Sequence, residues 1–230
     1  MWIAALATFA IAQVPATFER KVTRTVKGSY LVYAPEGYEK DRRKNWPTIL
    51  FLHGAGERGS DLNRLKLQGI PKELSGGRKL PFIVVAPQCP EGEWWDTQTL
   101  IGLLDEVERK WRVDKERLYL TGLSMGGYGT WALAAEQPSR FAAIAPVCGG
   151  GNPLTASKIA KLPIWAVHGD ADPVVPVAET RSMLRWLQFA KAEDVKYTEV
   201  KGGAHDVWTD FYRANEVYDW FLTKVRKISP

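Results

Sequence analysis

Residues 118–137 constrain the fold of this chain more than any other part of the sequence. An apolar run ends at Thr121, the pentad Gly-Leu-Ser-Met-Gly occupies residues 122–126, and residues 130–137 favour a helix. A tight turn between a strand and a helix strains its central residue and leaves room only for small residues two positions away on either side. The pattern therefore predicts a strand, a sharp turn with Ser124 exposed at its tip, and a helix.

Continuous apolar runs alternate with helical patterns along most of the chain. Such runs are typical of strands covered on both faces, so the alternation predicts an α/β fold with a mostly parallel, doubly wound sheet and helices on both faces. We expect two antiparallel strands at the N-terminal edge, at residues 17–26 and 29–34, and a closing amphipathic helix over residues 211–227. The other predicted strands are residues 47–52, 82–86, 141–147, 162–167 and 195–200, and the other predicted helices are residues 97–112 and 177–192.

Composition favours a globular protein and excludes several other classes. The chain has 230 residues, of which 45% are hydrophobic and 25% charged, and we expect one domain over residues 17–230. The formal net charge of +5 is scattered, without a basic helix or a zinc-ligand spacing, so no nucleic-acid partner is expected. We also expect no metal, no cofactor and no stable membrane anchor, while the oligomeric state stays open.

Residues 1–16 form an apolar segment that differs from the rest of the chain. Met1 to Ala12 is nearly uncharged but too short to span a bilayer. Residues 10–12, Ala-Ile-Ala, fit a small-x-small signal cleavage site, although the usual basic residue after Met1 is missing. We therefore expect a periplasmic or secreted protein, cleaved after Ala12 or Ala16, with an uncleaved cytoplasmic protein as the alternative.

Two cysteines, Cys89 and Cys148, each follow a predicted strand. In an exported protein they could form a disulfide. Because other strands are expected to separate them, two buried thiols are the alternative.

A serine at the predicted turn needs a base and an acid to act as a nucleophile. Of the three histidines, His53 and His168 each precede a glycine at a strand end, where an imidazole commonly bonds loop backbone. His205 lies in a glycine-rich loop after the last predicted strand. The chain order of nucleophile, acid and base in such folds favours His205 as the base.

Two aspartates compete for the acid, in the loop after the strand at residues 162–167. Asp170 directly follows the His-Gly turn and is expected to tie loop backbone together, whereas Asp172 precedes a proline and can project toward His205. We therefore predict Asp172 as the acid, with Asp206 as a weaker third choice.

An oxyanion hole requires two backbone N–H groups near the serine. Met125, directly after Ser124, supplies one of them in folds of this kind. The loop His53-Gly54-Ala55-Gly56 is expected to supply the other, from Ala55 or alternatively from Gly56.

The segments that begin at Leu52, Gly122, His168 and Gly202 resemble motifs of the α/β-hydrolase superfamily. They are most similar to the lidless phospholipase/carboxylesterase and dienelactone-hydrolase-like esterases, a group that includes esterases labelled as predicted peptidases. The resemblance implies a Ser124–His205–Asp172 triad, no cofactor and no large lid. It also implies a serine carboxylesterase, acting through an acyl-enzyme on short-chain, aryl or hydroxycinnamoyl esters that are small or attached to a polymer.

The roles of several residues near the predicted site, and the choice between related functions, stay open from the sequence alone. Trp94, Trp95 and Tyr128 could line the acyl or the alcohol pocket, or could merely pack loops. Glu57 and Arg58 are expected to brace the oxyanion loop through an ion pair. A serine peptidase of the prolyl-oligopeptidase kind and a non-catalytic binding protein on the same fold are the alternative functions.

Overall fold

The computed structural model describes residues 15–226, and a seven-stranded sheet lies at its centre. The strands are β1 (Tyr30–Tyr33), β2 (Trp46–Leu52), β3 (Ile83–Pro87), β4 (Val113–Leu123), β5 (Ala143–Val147), β6 (Ile164–Gly169) and β7 (Val195–Val200). Their order in the sheet is β1-β3-β2-β4-β5-β6-β7, in which β1 runs antiparallel to β3 and the other neighbours are parallel. The predicted α/β class and the mostly parallel sheet are confirmed.

Helices cover both faces of this sheet. They are α1 (Gly69–Ser75), α2 (Thr97–Lys110), α3 (Met125–Glu136), α4 (Ala178–Phe189), α5 (Trp208–Arg213) and α6 (Glu216–Leu222), with 3₁₀ helices at Ala55–Glu57, Leu62–Leu67 and Pro153–Ile159. Successive side chains of a strand point to opposite faces. Along β2, Leu50 and Leu52 accordingly pack in the core under α2, α3 and α4, whereas Ile49 and Phe51 pack under α1, α5 and α6.

The predicted first strand, at residues 17–26, is wrong. These residues have no strand structure, and β1 begins only at Tyr30. Phe18 is 95% exposed and Val22 is 77% exposed. A β-branched, aromatic segment forms a strand only where it can pack and pair, and this segment pairs with no strand and is exposed except at Val26.

The predicted closing helix, at residues 211–227, is also wrong, because two short helices occupy this region. Helix α5 ends before Ala214, whose backbone is extended, and α6 begins at Glu216. The guanidinium of Arg78 donates to the backbone carbonyls of Tyr212, Arg213 and Ala214. These contacts satisfy carbonyls that a continuous helix would have bonded internally.

Cys89 and Cys148 are both free and buried, which confirms the second alternative. They follow β3 and β5, and β2 and β4 lie between those strands. Three strand spacings amount to roughly 14 Å, beyond the reach of a disulfide.

The apolar segment at residues 1–16 falls almost entirely outside the described residues, so export and cleavage stay predictions. Within residues 15–226, none of the helices combines the length and the apolar character needed to cross a membrane.

Candidate active site

Ser124 occupies the turn between β4 and α3 with an unusual backbone conformation. Its φ of 54° and ψ of −118° are strained for a residue that is not glycine. The turn is so tight that a Cβ on Gly126 would lie 2.0 Å from the carbonyl oxygen of Leu52, and one on Gly122 would lie 2.4 Å from that of Gly126. The backbone of β2 and the turn therefore excludes any larger residue at both positions.

The loops after β4, β6 and β7 bring a hydroxyl, a carboxylate and an imidazole together. His205 Nε2 lies 2.9 Å from Ser124 Oγ, and His205 Nδ1 lies 2.7 Å from Asp172 Oδ2. The ring of Trp208 meets the His205 ring edge to face, with centroids 4.8 Å apart. A hydroxyl–imidazole–carboxylate chain of this geometry can transfer the serine proton to the imidazole.

Asp172 is held by donors on both of its oxygens. Oδ1 accepts the N–H groups of Val174 and Val175, at 2.8 and 2.9 Å, while Oδ2 faces His205. Burial by itself would raise the pKa of this carboxyl group. The hydrogen bonds from His205, Val175 and Val174 outweigh that effect and keep the pKa below its ordinary value, so Asp172 stays ionised.

Asp170 has a different position. Its Oδ1 accepts the N–H of Gly202 at 2.6 Å, which ties the loop after β6 to the loop that carries His205. Asp206 lies exposed next to His205.

His168 also contacts Asp172, which the sequence analysis did not foresee. Its buried Nε2 lies 2.9 Å from the carbonyl oxygen of Val175 and 3.2 Å from Asp172 Oδ2. Its Nδ1 lies 2.8 Å from Thr180 Oγ1. The predicted contact with loop backbone is therefore present, but it is one part of a network that also reaches the carboxylate.

The N–H groups of Ala55 and Met125 lie at the starts of two helices. Ala55 is the first residue of the 3₁₀ helix Ala55–Glu57 and Met125 is the first residue of α3. The first N–H groups of a helix have no acceptor within it. The pairing of β2 with β4 places the end of β2, which leads to Ala55, beside the end of β4, which leads to Ser124. The role of the two N–H groups as an oxyanion hole stays a prediction.

The backbone before Ala55 is fixed by two side chains. The N–H of Gly54 donates to Glu57 Oε2 at 3.0 Å, and the carbonyl oxygen of Gly54 lies 2.6 Å from His53 Nδ1. In a trans peptide the carbonyl and the following N–H point in opposite directions. By holding the carbonyl of Gly54, His53 therefore also sets the direction of the Ala55 N–H.

His53 has a defined tautomer. Its Nε2 accepts the N–H of Cys89 at 3.0 Å, so the ring proton is on Nδ1 and is donated to Gly54. Burial lowers the pKa of His53 to about 4, and the ring is neutral at neutral pH. This histidine is thus a structural part of the loop.

The expected ion pair between Glu57 and Arg58 is wrong, because each side chain braces the loop separately. Glu57 is buried beneath the loop, which raises the pKa of its carboxyl group, and it bonds Gly54. Arg58 instead donates to the carbonyl oxygens of Ala55 and Glu93, both at 3.1 Å.

The three aromatic residues near the site have different environments. Trp95 is half-buried and donates from Nε1 to the carbonyl oxygen of His53 at 3.1 Å, and a Cβ on Gly129 would lie 2.8 Å from its ring. Trp95 therefore packs the loop onto α3. Trp94 is 62% exposed and meets Tyr128 edge to face at 5.9 Å. A contact of Trp94, Trp95 or Tyr128 with substrate stays a prediction.

One group of side chains could in principle ligate a metal ion. Ligand atoms of Cys148, Asp172 and His205 all lie within 4.8 Å of one another. Burial, however, raises the pKa of Cys148 to about 12, and a metal needs the thiolate. The hydrogen bond between Asp172 and His205 also occupies the atoms that would bind the ion. The residues therefore fit a metal poorly.

Several known proteins that are similar to this chain are esterases. The profile of a family described as phospholipase/carboxylesterase matches residues 96–218, more than half of the chain. A bifunctional acetylxylan esterase/xylanase from Neocallimastix patriciarum is 32% identical over 162 residues, which cover 67% of this chain and 23% of that protein. A probable feruloyl esterase C from Aspergillus terreus is 29% identical over 202 residues, covering 79% and 69% respectively.

A solved structure that is similar to this chain is also that of an esterase. The crystal structure of a thermostable esterase has a TM-score of 0.74 at 31% identity, covering 86% of this chain and 59% of that one. The chain thus spans less than two thirds of the bifunctional enzyme and of the thermostable esterase.

Proposed function

Because the chain belongs to the phospholipase/carboxylesterase family, we propose that it is a serine carboxylesterase with Ser124 as its nucleophile. The observation that carries the proposal is the unbroken hydrogen-bond chain from Ser124 Oγ through His205 to Asp172. His205 is the general base, and Asp172 orients its ring and stabilises the positive charge that forms on it.

Acylation begins when Ser124 Oγ attacks the ester carbonyl carbon and its proton passes to His205 Nε2. The carbonyl oxygen becomes an oxyanion, which accepts hydrogen bonds from the N–H groups of Ala55 and Met125. Because these donors are already oriented, they stabilise the charge without further rearrangement. Collapse of the intermediate breaks the ester C–O bond, and His205 returns the proton to the departing alcohol.

Deacylation repeats these steps with water. His205 takes a proton from the water as its oxygen attacks the acyl carbon, and the same N–H groups hold the oxyanion. When the second intermediate collapses, the proton returns to Ser124 Oγ. The products are the free acid and the regenerated enzyme.

We propose short-chain, aryl or hydroxycinnamoyl esters as substrates, either small or attached to a polymer. Two related proteins support this choice, because their names specify acetylated xylan and feruloyl esters. The exposed Trp94 and the neighbouring Tyr128 provide aromatic surface next to the site.

The test is the Ser124→Ala variant, assayed with p-nitrophenyl acetate and methyl ferulate. Activity should fall by about 10⁴-fold or more, because the remaining groups can only position water. A fluorophosphonate should label the parent protein and not this variant. Ser157→Ala, at an exposed position of the 3₁₀ helix Pro153–Ile159, is the matched control.

Two results would contradict the proposal. Retention of ester hydrolysis by a folded Ser124→Ala protein would remove Ser124 from the mechanism. Faster hydrolysis of an anilide than of the matched ester would favour the peptidase alternative.

A further inference from the structure

The 3₁₀ helix Ala55–Glu57 begins with an N–H group proposed for the oxyanion, but it is only one turn long and weakly bonded internally. The backbone nitrogen of Glu57 lies 3.3 Å from the carbonyl oxygen of Gly54. That of Arg58 lies 3.4 Å from the carbonyl oxygen of Ala55. Both distances exceed the usual value of about 2.9–3.0 Å. Contacts from outside the helix must therefore fix the direction of the Ala55 N–H.

The two ends of this helix are held by different residues. The side chains of His53 and Glu57 bond the peptide groups at its start. The carbonyl groups at its end have no partners within the helix, and Gln88 supplies a donor for one of them. Its Nε2 donates to the carbonyl oxygen of Glu57. Gln88 and Glu57 are both only 8% exposed, so this bond lies where water cannot readily replace it.

The backbone around Gln88 is fixed, which gives its side chain a defined direction. Gln88 directly follows β3, and its N–H donates to the carbonyl oxygen of Ser29 at 2.9 Å, which extends the pairing of β1 with β3. The next residue, Cys89, donates its N–H to His53 Nε2, and its carbonyl oxygen accepts the N–H of Gly59 at 3.0 Å. The segment after β3 thus bonds both ends of the loop at residues 53–59, and Gln88 bonds its middle.

The amide of Gln88 is only half used. Its Oε1 is buried and has no hydrogen-bond partner within residues 15–226. A buried acceptor without a partner costs free energy, so packing alone gives no reason for an amide at this position. Exchanging the two amide atoms would place Oε1 against the carbonyl oxygen of Glu57, where two acceptors would repel each other. The contribution of this side chain is therefore its N–H donor.

We propose that Gln88 is a positioning residue for the oxyanion hole: by holding the carbonyl of Glu57, it keeps the Ala55 N–H directed at the developing oxyanion. The proposal rests on the ester hydrolysis proposed above and assigns no contact between Gln88 and the substrate. A donor of this kind lowers the barrier only when it points at the charge that forms in the transition state. Loss of the Gln88 donor should therefore slow the chemical step while the protein stays folded.

The first experiment compares Gln88→Met, which has a similar length and no donor, with the parent protein. It measures hydrolysis of p-nitrophenyl acetate and inhibition by a short-chain trifluoromethyl ketone, which forms a tetrahedral oxyanion on Ser124 and so resembles the transition state. The kcat/KM should fall by about tenfold, and the inhibition constant of the ketone should rise by a similar factor. Gln88→Leu, a second variant without the donor, should show the same two changes.

Gln188→Met is the matched control, because Gln188 is an exposed glutamine on α4, and it should change neither quantity. Circular dichroism confirms that each variant is folded at the assay temperature. An unchanged affinity for the ketone in folded Gln88→Met or Gln88→Leu protein overturns the proposal.

A double-mutant cycle separates this role from a general effect on the loop. Ala55→Pro removes the N–H itself, and proline suits the first residue of a helix after an extended residue such as Gly54, whose φ is −80° and ψ is 177°. This change should lower kcat/KM by about 10²-fold or more. Adding Gln88→Met should then cause little further loss, because the donor that Gln88 orients is already gone. Equal losses in both backgrounds would show a merely structural role and overturn the proposal.

The two proposals can fail separately. Hydrogen exchange of the backbone amides of residues 53–59, followed by mass spectrometry, reports on the loop without a substrate and should be faster in Gln88→Met than in the parent. If the parent hydrolyses no ester, the proposed esterase function fails, and the exchange rate still decides whether Gln88 holds the loop. If the ester is hydrolysed but neither the ketone affinity nor the exchange rate changes, the esterase stands and the role of Gln88 does not.

Discussion

Two His-Gly turns lie at the same edge of the sheet and have different surroundings. His53-Gly54 follows β2 and His168-Gly169 ends β6, and both imidazoles are buried, at 1% and 0% exposure. His53 bonds the backbone of Gly54 and Cys89. His168 contacts a hydroxyl group, a carbonyl oxygen and the carboxylate of Asp172.

The difference shows how one dipeptide can serve two purposes. His53 fixes the course of the backbone that presents the Ala55 N–H, so it determines the conformation of the loop after β2. His168 bonds the carbonyl oxygen of Val175 and lies against the carboxylate of Asp172, so it helps to set the position of that carboxylate. Replacing the residues of the two turns should therefore produce different defects.

The largest effect is expected in the turn after β6, for Asp172→Asn. Without the carboxylate, His205 is no longer held in the tautomer that accepts the serine proton, and kcat should fall by about 10⁴-fold. Asp170→Asn is the matched control in the same loop and should lower kcat far less, since Asp170 bonds the Gly202 backbone. Steady-state kinetics on p-nitrophenyl acetate measures both, and the opposite ranking would exchange the roles assigned to the two aspartates.

The second largest effect is expected in the turn after β2, where the buried His53 makes the stability of the protein depend on pH. The pKa of His53 is about 4 in the folded protein, against about 6.5 when unfolded, so the unfolded state binds the proton more readily. Stability due to this group is complete above pH 6.5 and is lost as the pH falls from there through 4, by about 3 kcal/mol in total.

Urea unfolding at several pH values measures this contribution. His53→Gln should be less stable at neutral pH, but its stability should fall less between pH 6.5 and 4 than that of the parent. Subtracting the two curves removes the contribution of Glu57, whose raised pKa acts in both proteins. If the free energy of unfolding changed equally with pH in the two proteins, His53 would not have the lowered pKa that its burial implies.

The smallest effect is expected for His168→Leu, which removes the hydrogen bond to the carbonyl oxygen of Val175 and the contact with Asp172. The kcat/KM should fall by about tenfold, because a less constrained carboxylate orients His205 less well. Steady-state kinetics on p-nitrophenyl acetate measures this loss. His168→Gln, which keeps an N–H donor for the carbonyl oxygen of Val175, should restore part of the activity, and equal losses in the two variants would leave His168 without the orienting role assigned to it.

Local patterns were sufficient to predict the part of the fold that positions Ser124. Apolar runs and glycine spacing are properties of short segments, so β4, the turn and α3 could be read from the sequence. The rule that parallel strands end at one edge then predicts that His205 and Asp172 approach Ser124. The observed distances agree with that expectation, while the catalytic roles stay proposals.

The features that the sequence patterns predicted wrongly, or did not predict, depend on contacts between residues far apart in the chain or on how a loop folds. Arg78 separates α5 from α6 by bonding carbonyls 134 to 136 positions away, and no local signal reveals it. Residues 17–26 have strand-like composition, but a strand also requires a neighbour and a covered face. His168 reaches Asp172 only because the loop after β6 folds back over it, although the four-residue spacing of the pair was visible in the sequence.

The separation of Cys89 and Cys148 by two strands has a practical consequence. Because the described fold contains two thiols that cannot meet, its formation requires no oxidant and no isomerase. Recombinant production in a reducing cytoplasm should thus yield the native fold, and reducing agents can be kept throughout purification without loss of structure.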